Sequence, residues 1–155
     1  MNDTDLSLLK AAIALAESAR RHGNHPFGAL LADKDGNVLL RAENTVVSSS
    51  DCTGHAETNL MREASKKYPV SLLATCTLYT STEPCPMCAG AIFWGGVGRV
   101  VYGLSQAGLY ALTGDSPERI LLACSEVLSR AGRPVEVNGP ALEAEARAPH
   151  AGFWG

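Results

Sequence analysis

Aromatic residues are scarce in this 155-residue chain: three Phe, two Trp and four Tyr, 6% in all. Basic residues are not in excess either, with 13 Lys and Arg against 16 Asp and Glu and a formal net charge of −3. That balance argues against a sequence-independent grip on nucleic-acid phosphates, which needs a clustered basic face. No apolar run approaches the roughly 18 residues that span a bilayer, and the N-terminus lacks the basic-then-apolar layout of a secretory signal. A cytoplasmic protein with no membrane partner is the expectation. Five cysteines are an odd number, so no disulfide framework is expected; reduced thiols bind metal or stay buried. Val, Ile, Leu and Ala, by contrast, are plentiful. With 46% hydrophobic and 19% charged residues, the chain falls outside the disordered and collagen-like classes, and its length suits one domain over residues 1–155.

Apolar residues at Leu6, Leu9, Ile13 and Ala16 predict an amphipathic helix up to Arg21, with Asp3 or Thr4 as its cap and Gly23 ending it. Gly28 to Ala32 and Val38 to Ala42 flank Asp33-Lys-Asp-Gly-Asn and read as a β-hairpin. Ser48 to Gly54 is loop-like, and a helix is expected from His55 to about Lys67. Thr75 to Thr82 is rich in β-branched residues and reads as a central strand, stopped at Glu83-Pro84. Cys85 to Trp94 reads as a short buried helix with Pro86 in its first turn. Arg99 to Tyr102 is a strand, Pro117 to Ala131 a helix, Pro134 to Val137 a strand and Ala141 to Arg147 a short helix. Such alternation gives an α/β domain with a sheet covered on both faces. The tail, Ala148 to Gly155, carries Phe153 and Trp154 side by side, and is expected to dock.

Two of the predicted helix starts carry the chemistry. His55-Ala56-Glu57 opens one, and Pro84-Cys85-Pro86-Met87-Cys88 opens the other. Two cysteines spaced by two residues can put both sulfurs on one ion, and the backbone N–H groups of a helix start favour the thiolate. With one imidazole they make three ligands, a set that suits Zn²⁺ and leaves a fourth position for water. Glu57, two residues past the ligand, is placed to move that water's protons. A rival set exists. Cys52, His55, Cys85 and Cys88 would close the coordination sphere as a structural Cys₃His zinc module, with Glu57 a solvated helix residue. Cys76 and Cys124 are expected in the core, and His22 and His25 in capping or solvated roles. His150 is expected at the surface, although its place beside Phe153 and Trp154 leaves a pocket role open.

The pattern H-x-E followed by P-C-x-x-C resembles that of the zinc deaminases, the cytidine deaminase-like superfamily. The string Glu83-Pro-Cys-Pro-Met-Cys-Ala-Gly-Ala-Ile-Phe-Trp is most similar to the branch holding guanine deaminases, fungal-type cytosine deaminase and tRNA adenosine deaminases. Pro26-Phe27-Gly28-Ala29, Asn44 and Thr53-Gly54-His55-Ala56-Glu57 also match bacterial guanine deaminases in relative spacing. The resemblance covers roughly residues 6 to 103. It implies a three-layer α/β/α fold around a mixed sheet of about five strands. It implies Zn²⁺ on His55, Cys85 and Cys88, with Glu57 as proton shuttle. By the same resemblance Asn44 bonds the ring, Phe27 and Trp94 wall the pocket and the Ala56 N–H contacts a ring carbonyl. Phe153 and Trp154 would close the pocket as a lid. Asp115, Glu143 and Glu145 are candidates for the acid that orients the amine, and a homodimer is the implied assembly.

Residues 136 to 155 hold Glu136, Glu143 and Glu145 against Arg147 alone, which disfavours an RNA substrate. A free base carries no phosphate, and an aromatic lid suits a small planar ring. The expected activity is deamination of a small nucleobase. Guanine or a related 2-amino ring stands ahead of cytosine or a nucleoside, with tRNA adenosine as the further alternative.

Overall fold

The computed structural model describes residues 1–155. Helix α1 (Asp3–Arg21) is capped by Asn2, one residue before the expected caps. Asn2 Oδ1 accepts the Asp5 N–H at 2.8 Å, and the Asp5 carboxylate accepts the Asn2 N–H at 3.0 Å. This reciprocal pair satisfies two otherwise orphaned donors of the first turn. Strands β1 (Gly28–Ala32) and β2 (Val38–Glu43) form the expected hairpin. A single turn, α2 (Val46–Ser49), lies partly within the stretch read as loop. Then follow α3 (Ala56–Lys67), α4 (Val70–Leu73), β3 (Thr77–Thr82), α5 (Pro86–Gly95) and β4 (Arg99–Leu104). The chain ends with α6 (Gln106–Thr113), α7 (Cys124–Ser129), β5 (Glu136–Asn138), α8 (Glu143–Arg147) and a 3₁₀ turn over Ala148–His150.

The five strands lie in the order β2-β1-β3-β4-β5. The β1–β2 and β1–β3 pairs are antiparallel, the β3–β4 and β4–β5 pairs parallel. Successive side chains on a strand point to opposite faces, so neighbours split between two cores. Leu31, Leu78 and Val100 pack with Leu60 and Ile92 beneath α3 and α5. Leu30, Tyr79 and Val101 pack with Leu9, Ile13 and Ala146 beneath α1 and α8. The result is the three-layer cytidine deaminase-like arrangement implied by the motifs. Gly28 is required where α1 crosses β1, because a Cβ there would stand 2.6 Å from the Ala16 backbone nitrogen.

Asp5 bolts the start of α1 to the sheet. Its carboxylate accepts the Tyr79 hydroxyl at 2.6 Å and both ends of the Arg99 guanidinium at 2.8 and 3.0 Å. These partners, Arg99 foremost, hold its carboxyl well below the usual carboxylate range.

One stretch departs from expectation. The helix expected over 117–131 is confined to α7, while an additional helix, α6, forms where none was read. The cause is tertiary. The Glu83 carboxylate accepts the N–H of Gln106 at 3.0 Å and that of Cys124 at 2.8 Å, fixing both helix starts, and the chain between them spans the gap as a loop. Ser105 caps α6 through the Gly108 N–H, while Gly108 itself weakens the local helix signal. No helix is long and apolar enough to cross a membrane.

Candidate metal centre and its pocket

The parallel β3–β4 crossover runs through α5, which begins immediately beyond the end of β3. Cys85 is the N-cap of α5 and Pro86 its first residue. His55 holds the same place on α3. Three ligand side chains therefore converge from two helix starts, where unsatisfied N–H groups favour negative charge. Contacts between α3 and α5 hold the two together.

The His55 Nδ1 lies 3.5 Å from the Cys85 sulfur and 3.6 Å from the Cys88 sulfur. Tetrahedral ligands at about 2.3 Å for sulfur and about 2.1 Å for nitrogen stand about 3.6 Å apart, so these edges fit one Zn²⁺. All three ligand atoms fall within 4.8 Å of one another. Hydrogen bonding from Cys88 and the neighbouring His55 draw the Cys85 thiol down to about 4, and the same contact with Cys85 raises His55. Cys88 is pushed upward by its bond to Cys85 and by burial. Of the two thiols Cys85 is the one drawn towards the thiolate, which favours capture of a cation.

The Cys₃His set is not formed. Cys52 is exposed and outside the ligand group, because the turn Asp51–Gly54 carries it outward. Cys76 and Cys124 are buried, as expected.

Glu57 lies one residue into α3 and is only 6% exposed. Burial first, then the charge of Cys85, push its carboxyl up to about 7. Such a group holds or releases a proton near neutrality, the property required of a shuttle. Ala56 is buried beside it. Asn44, 2% exposed, accepts the Val46 N–H with Oδ1 at 3.0 Å, and its Nδ2 donates to no protein group. Sequence reading passed over two supporting residues on α3. Asn59 Nδ2 donates to the Glu43 carbonyl, the Thr45 hydroxyl and the Gly54 carbonyl, holding the Asn44 loop against the helix. The Thr58 hydroxyl sits 3.2 Å from the Cys88 sulfur. Their only sequence signal is position, directly after Glu57 and one helical turn after His55.

The tail docks on its own chain beside this centre. Arg20 donates to the carbonyls of Pro149 and Ala151 at 2.8 and 2.7 Å, and its guanidinium lies over the Phe153 ring. Phe153 and Trp154 pack on His25, and Trp154 and His150 on Phe27. His25 is close enough to His55 that His55 adds to burial in lowering its pKa. These rings form an aromatic wall from the tail towards the metal ligands, and His25 belongs to it rather than to solvent.

Three readings need correction. Trp94 does not wall the pocket within this chain: it is 83% exposed at the last turn of α5, touching Phe93. His150 is buried, not at the surface, because the tail folds inward onto Arg20 and Phe27. None of the three candidate acids is buried in the pocket. Asp115 and Glu145 are exposed, and Glu143 pairs with Arg147 at 3.3 Å one turn along α8.

A family model described as the cytidine and deoxycytidylate deaminase zinc-binding region matches residues 2–104. A Schizosaccharomyces pombe protein named "Probable cytosine deaminase" is 44% identical over 156 aligned positions, covering 99% of this chain and 94% of that one. A guanine deaminase from Bacillus subtilis is 43% identical over 97 residues, 62% of each chain. Among solved structures, a guanine deaminase from Nitrosomonas europaea superposes with a TM-score of 0.74 at 24% identity, over 93% of this chain and 83% of that one. That last likeness speaks for the fold.

Proposed function

Because the chain belongs to the cytidine and deoxycytidylate deaminase zinc-binding family, we propose that it hydrolytically deaminates a small free nucleobase. Guanine or a related 2-amino ring is the first candidate. The observation that carries the reaction class is the buried Glu57 beside three ligand atoms spaced for one Zn²⁺. His55 Nδ1 and the sulfurs of Cys85 and Cys88 would hold Zn²⁺, which when bound would lower the pKa of a water to about 7. As a water adds to the ring carbon, Glu57 would take its first proton and pass it to the ring nitrogen; as the C–N bond breaks, Glu57 would carry the second proton from the new hydroxyl to the amine, which leaves as ammonia. Asn44 Nδ2 donates to the ring, the Ala56 N–H meets a ring carbonyl, and Phe27 and Phe153 give the base an apolar bed.

A free base fits this site better than a polynucleotide. The tail that walls the pocket is aromatic, and the last twenty residues are acidic on balance. Cytosine is the second reading. Its support is the 44% identity to the fission-yeast protein, which extends over 99% of this chain and so includes the tail. The discriminating experiment measures ammonia release from guanine, isocytosine, an aminotriazine, cytosine, adenine, cytidine, guanosine and an adenosine-bearing tRNA stem-loop. One free base is expected to be turned over, with Glu57→Ala slower by about 10²- to 10⁴-fold and zinc retained. Turnover of the stem-loop alone would overturn the free-base reading.

The reading includes a single cytoplasmic deaminase domain that works as a homodimer. Trp94 and Met87 are exposed apolar side chains on the outer side of α5, and a second copy would cover them. A monomer mass at high concentration in light scattering would count against it.

A further inference from the structure

Helix α3 carries a polar residue that belongs neither to the ligand set nor to the proton shuttle. Thr58 directly follows Glu57 and stands three residues past His55. A threonine inside a helix ordinarily returns its hydroxyl to the carbonyl three or four residues back. Here both of those carbonyls are engaged. That of His55 accepts the Asn59 N–H at 2.8 Å, and that of Gly54 accepts the Thr45 N–H at 2.8 Å and the Asn59 side chain at 3.3 Å. The Thr58 hydroxyl turns instead to the neighbouring helix, where it lies 3.2 Å from the Cys88 sulfur.

Cys88 is the ligand with the greater need of such a partner. It is fully buried, whereas Cys85 is half-buried, so solvent cannot supply a donor to the Cys88 sulfur. A cysteine that ligates a metal does so as the thiolate, which has no proton to give and can only accept. With metal held, the direction of the bond is therefore fixed, and Thr58 donates. A buried charge without a donor is costly. His55 and Cys85, the other polar side chains gathered at this sulfur, are themselves ligands, which leaves Thr58 to donate. Its branched Cβ restricts χ1, so the hydroxyl is held in place. The bond crosses from α3 to α5 and ties the helix start bearing His55 and Glu57 to the second cysteine of the other.

We propose that Thr58 is a positioning residue of the metal centre: its hydroxyl donates to the Cys88 thiolate, fixing the sulfur's rotamer and offsetting part of its buried charge. The inference rests on the zinc-deaminase reading and adds to it a residue, outside the ligand set, on which metal affinity depends. Side chains that bond a ligand rather than the metal typically change affinity by about 10- to 100-fold when they are removed.

The test compares Thr58→Val, which keeps the branched shape and removes the hydroxyl, with Thr58→Ser, which keeps the hydroxyl and removes the methyl. Zinc affinity is measured by competition with a chromophoric chelator. Each protein is also loaded with Co²⁺, whose thiolate-to-metal absorption band reports the electron density on the sulfurs. Thr58→Val should bind zinc about tenfold or more weakly. Its Co²⁺ band should move to longer wavelength, because a thiolate without its donor gives up an electron more easily. The melting temperature of the metal-free protein should match the parent. Thr58→Ser should recover zinc affinity to within about threefold and return the band to its place. Thr58→Ala, scored in the same way, replaces a Thr58→Val that does not fold. A zinc affinity within about twofold of the parent in the variant lacking the hydroxyl, or an unmoved band, would overturn the proposal and leave the deaminase reading intact. Equal losses in Val and Ser would overturn it as well and assign Thr58 to packing through its methyl. A parent protein that takes up no zinc brings down the metal reading itself, a result distinct from these, and this inference with it.

Discussion

The metal cradle and the tail are neighbours in space and opposites in construction. The cradle is built from residues close together in sequence, His55 to Asn59 and Cys85 to Cys88, each group fixed by the first turn of its own helix. The tail has no such frame. Pro149 and Ala151 are held by Arg20, and Phe153 packs on His25, residues from the other end of the chain. Local geometry thus sets the metal cradle, and contacts between chain ends set the aromatic wall beside it. Removing a cradle residue should abolish function outright. Removing a tail contact should change which base is held and how tightly.

The largest effect is expected from Cys88→Ala. It deletes one of three ligands, and two cannot hold Zn²⁺ as three do. The variant should lose bound zinc and with it more than about 10³-fold in rate, with the tail still docked. Metal analysis together with hydrogen exchange of residues 148–155 checks both halves. If zinc is retained at full stoichiometry, the three-ligand cradle is wrong. If the tail is released as well, the two regions are not independent.

Arg20→Ala attacks the other region. It removes two charge-assisted hydrogen bonds and the stacking on Phe153, worth about 2 kcal/mol together at a partly exposed site. The expected phenotype is a KM raised about tenfold, faster exchange in the tail and unchanged zinc. Loss of zinc would show that the tail supports the cradle as well as the substrate.

This asymmetry explains what could be read beforehand. His55, Glu57, Cys85 and Cys88 were legible because ligand chemistry needs fixed residue types at fixed offsets from a helix start. The strands were legible because runs such as Thr77–Thr82 are buried on both faces and need β-branched and apolar residues throughout. The segment after β4 was not legible: α6 and α7 begin where the Glu83 carboxylate accepts their N–H groups, and no local pattern announces a partner 23 or 41 residues away. His150 was misplaced for the same reason, since only the docked tail buries it. Trp94 was assigned by resemblance to the pocket, but helical geometry puts it two residues beyond the buried Ile92, on the opposite side of α5.

The pH dependence of the tail gives a smaller effect. His150 titrates at about 4 in the folded protein and at about 6.5 when unfolded. A histidine with a lowered folded pKa binds its proton more readily when undocked. Its contribution is therefore fully present above about pH 6.5 and is lost as pH falls through about 4. At pH 5.5 the docked state should have lost about 1 kcal/mol, and exchange of residues 148–155 should be faster than at pH 7.5. Asp5 works in the same direction, with its contribution present above its unfolded pKa and lost at still lower pH. It acts at the far end of α1, so exchange at β3 and β4 should hold steady between pH 7.5 and 5.5. Uniform loosening across the sheet in that window would remove His150 as the cause.

The smallest effect belongs to Cys52→Ser, which bears directly on the cradle's composition. Sequence spacing alone allows Cys52 to serve as a fourth ligand, and a four-ligand site would be closed to water and chemically inert. In the folded chain the Asp51 carboxylate accepts both the N–H and the hydroxyl of Thr53 at 2.9 and 2.7 Å, tightening the turn that leaves Cys52 at the surface. Replacing an exposed side chain with no partner typically changes stability by less than about 0.5 kcal/mol. Zinc stoichiometry, zinc affinity and deaminase rate should all match the parent. A fall in zinc affinity comparable to that of Cys85→Ala would mean that the turn swings inward when metal binds. Glu57 would then lose the open coordination position on which its proton transfer depends.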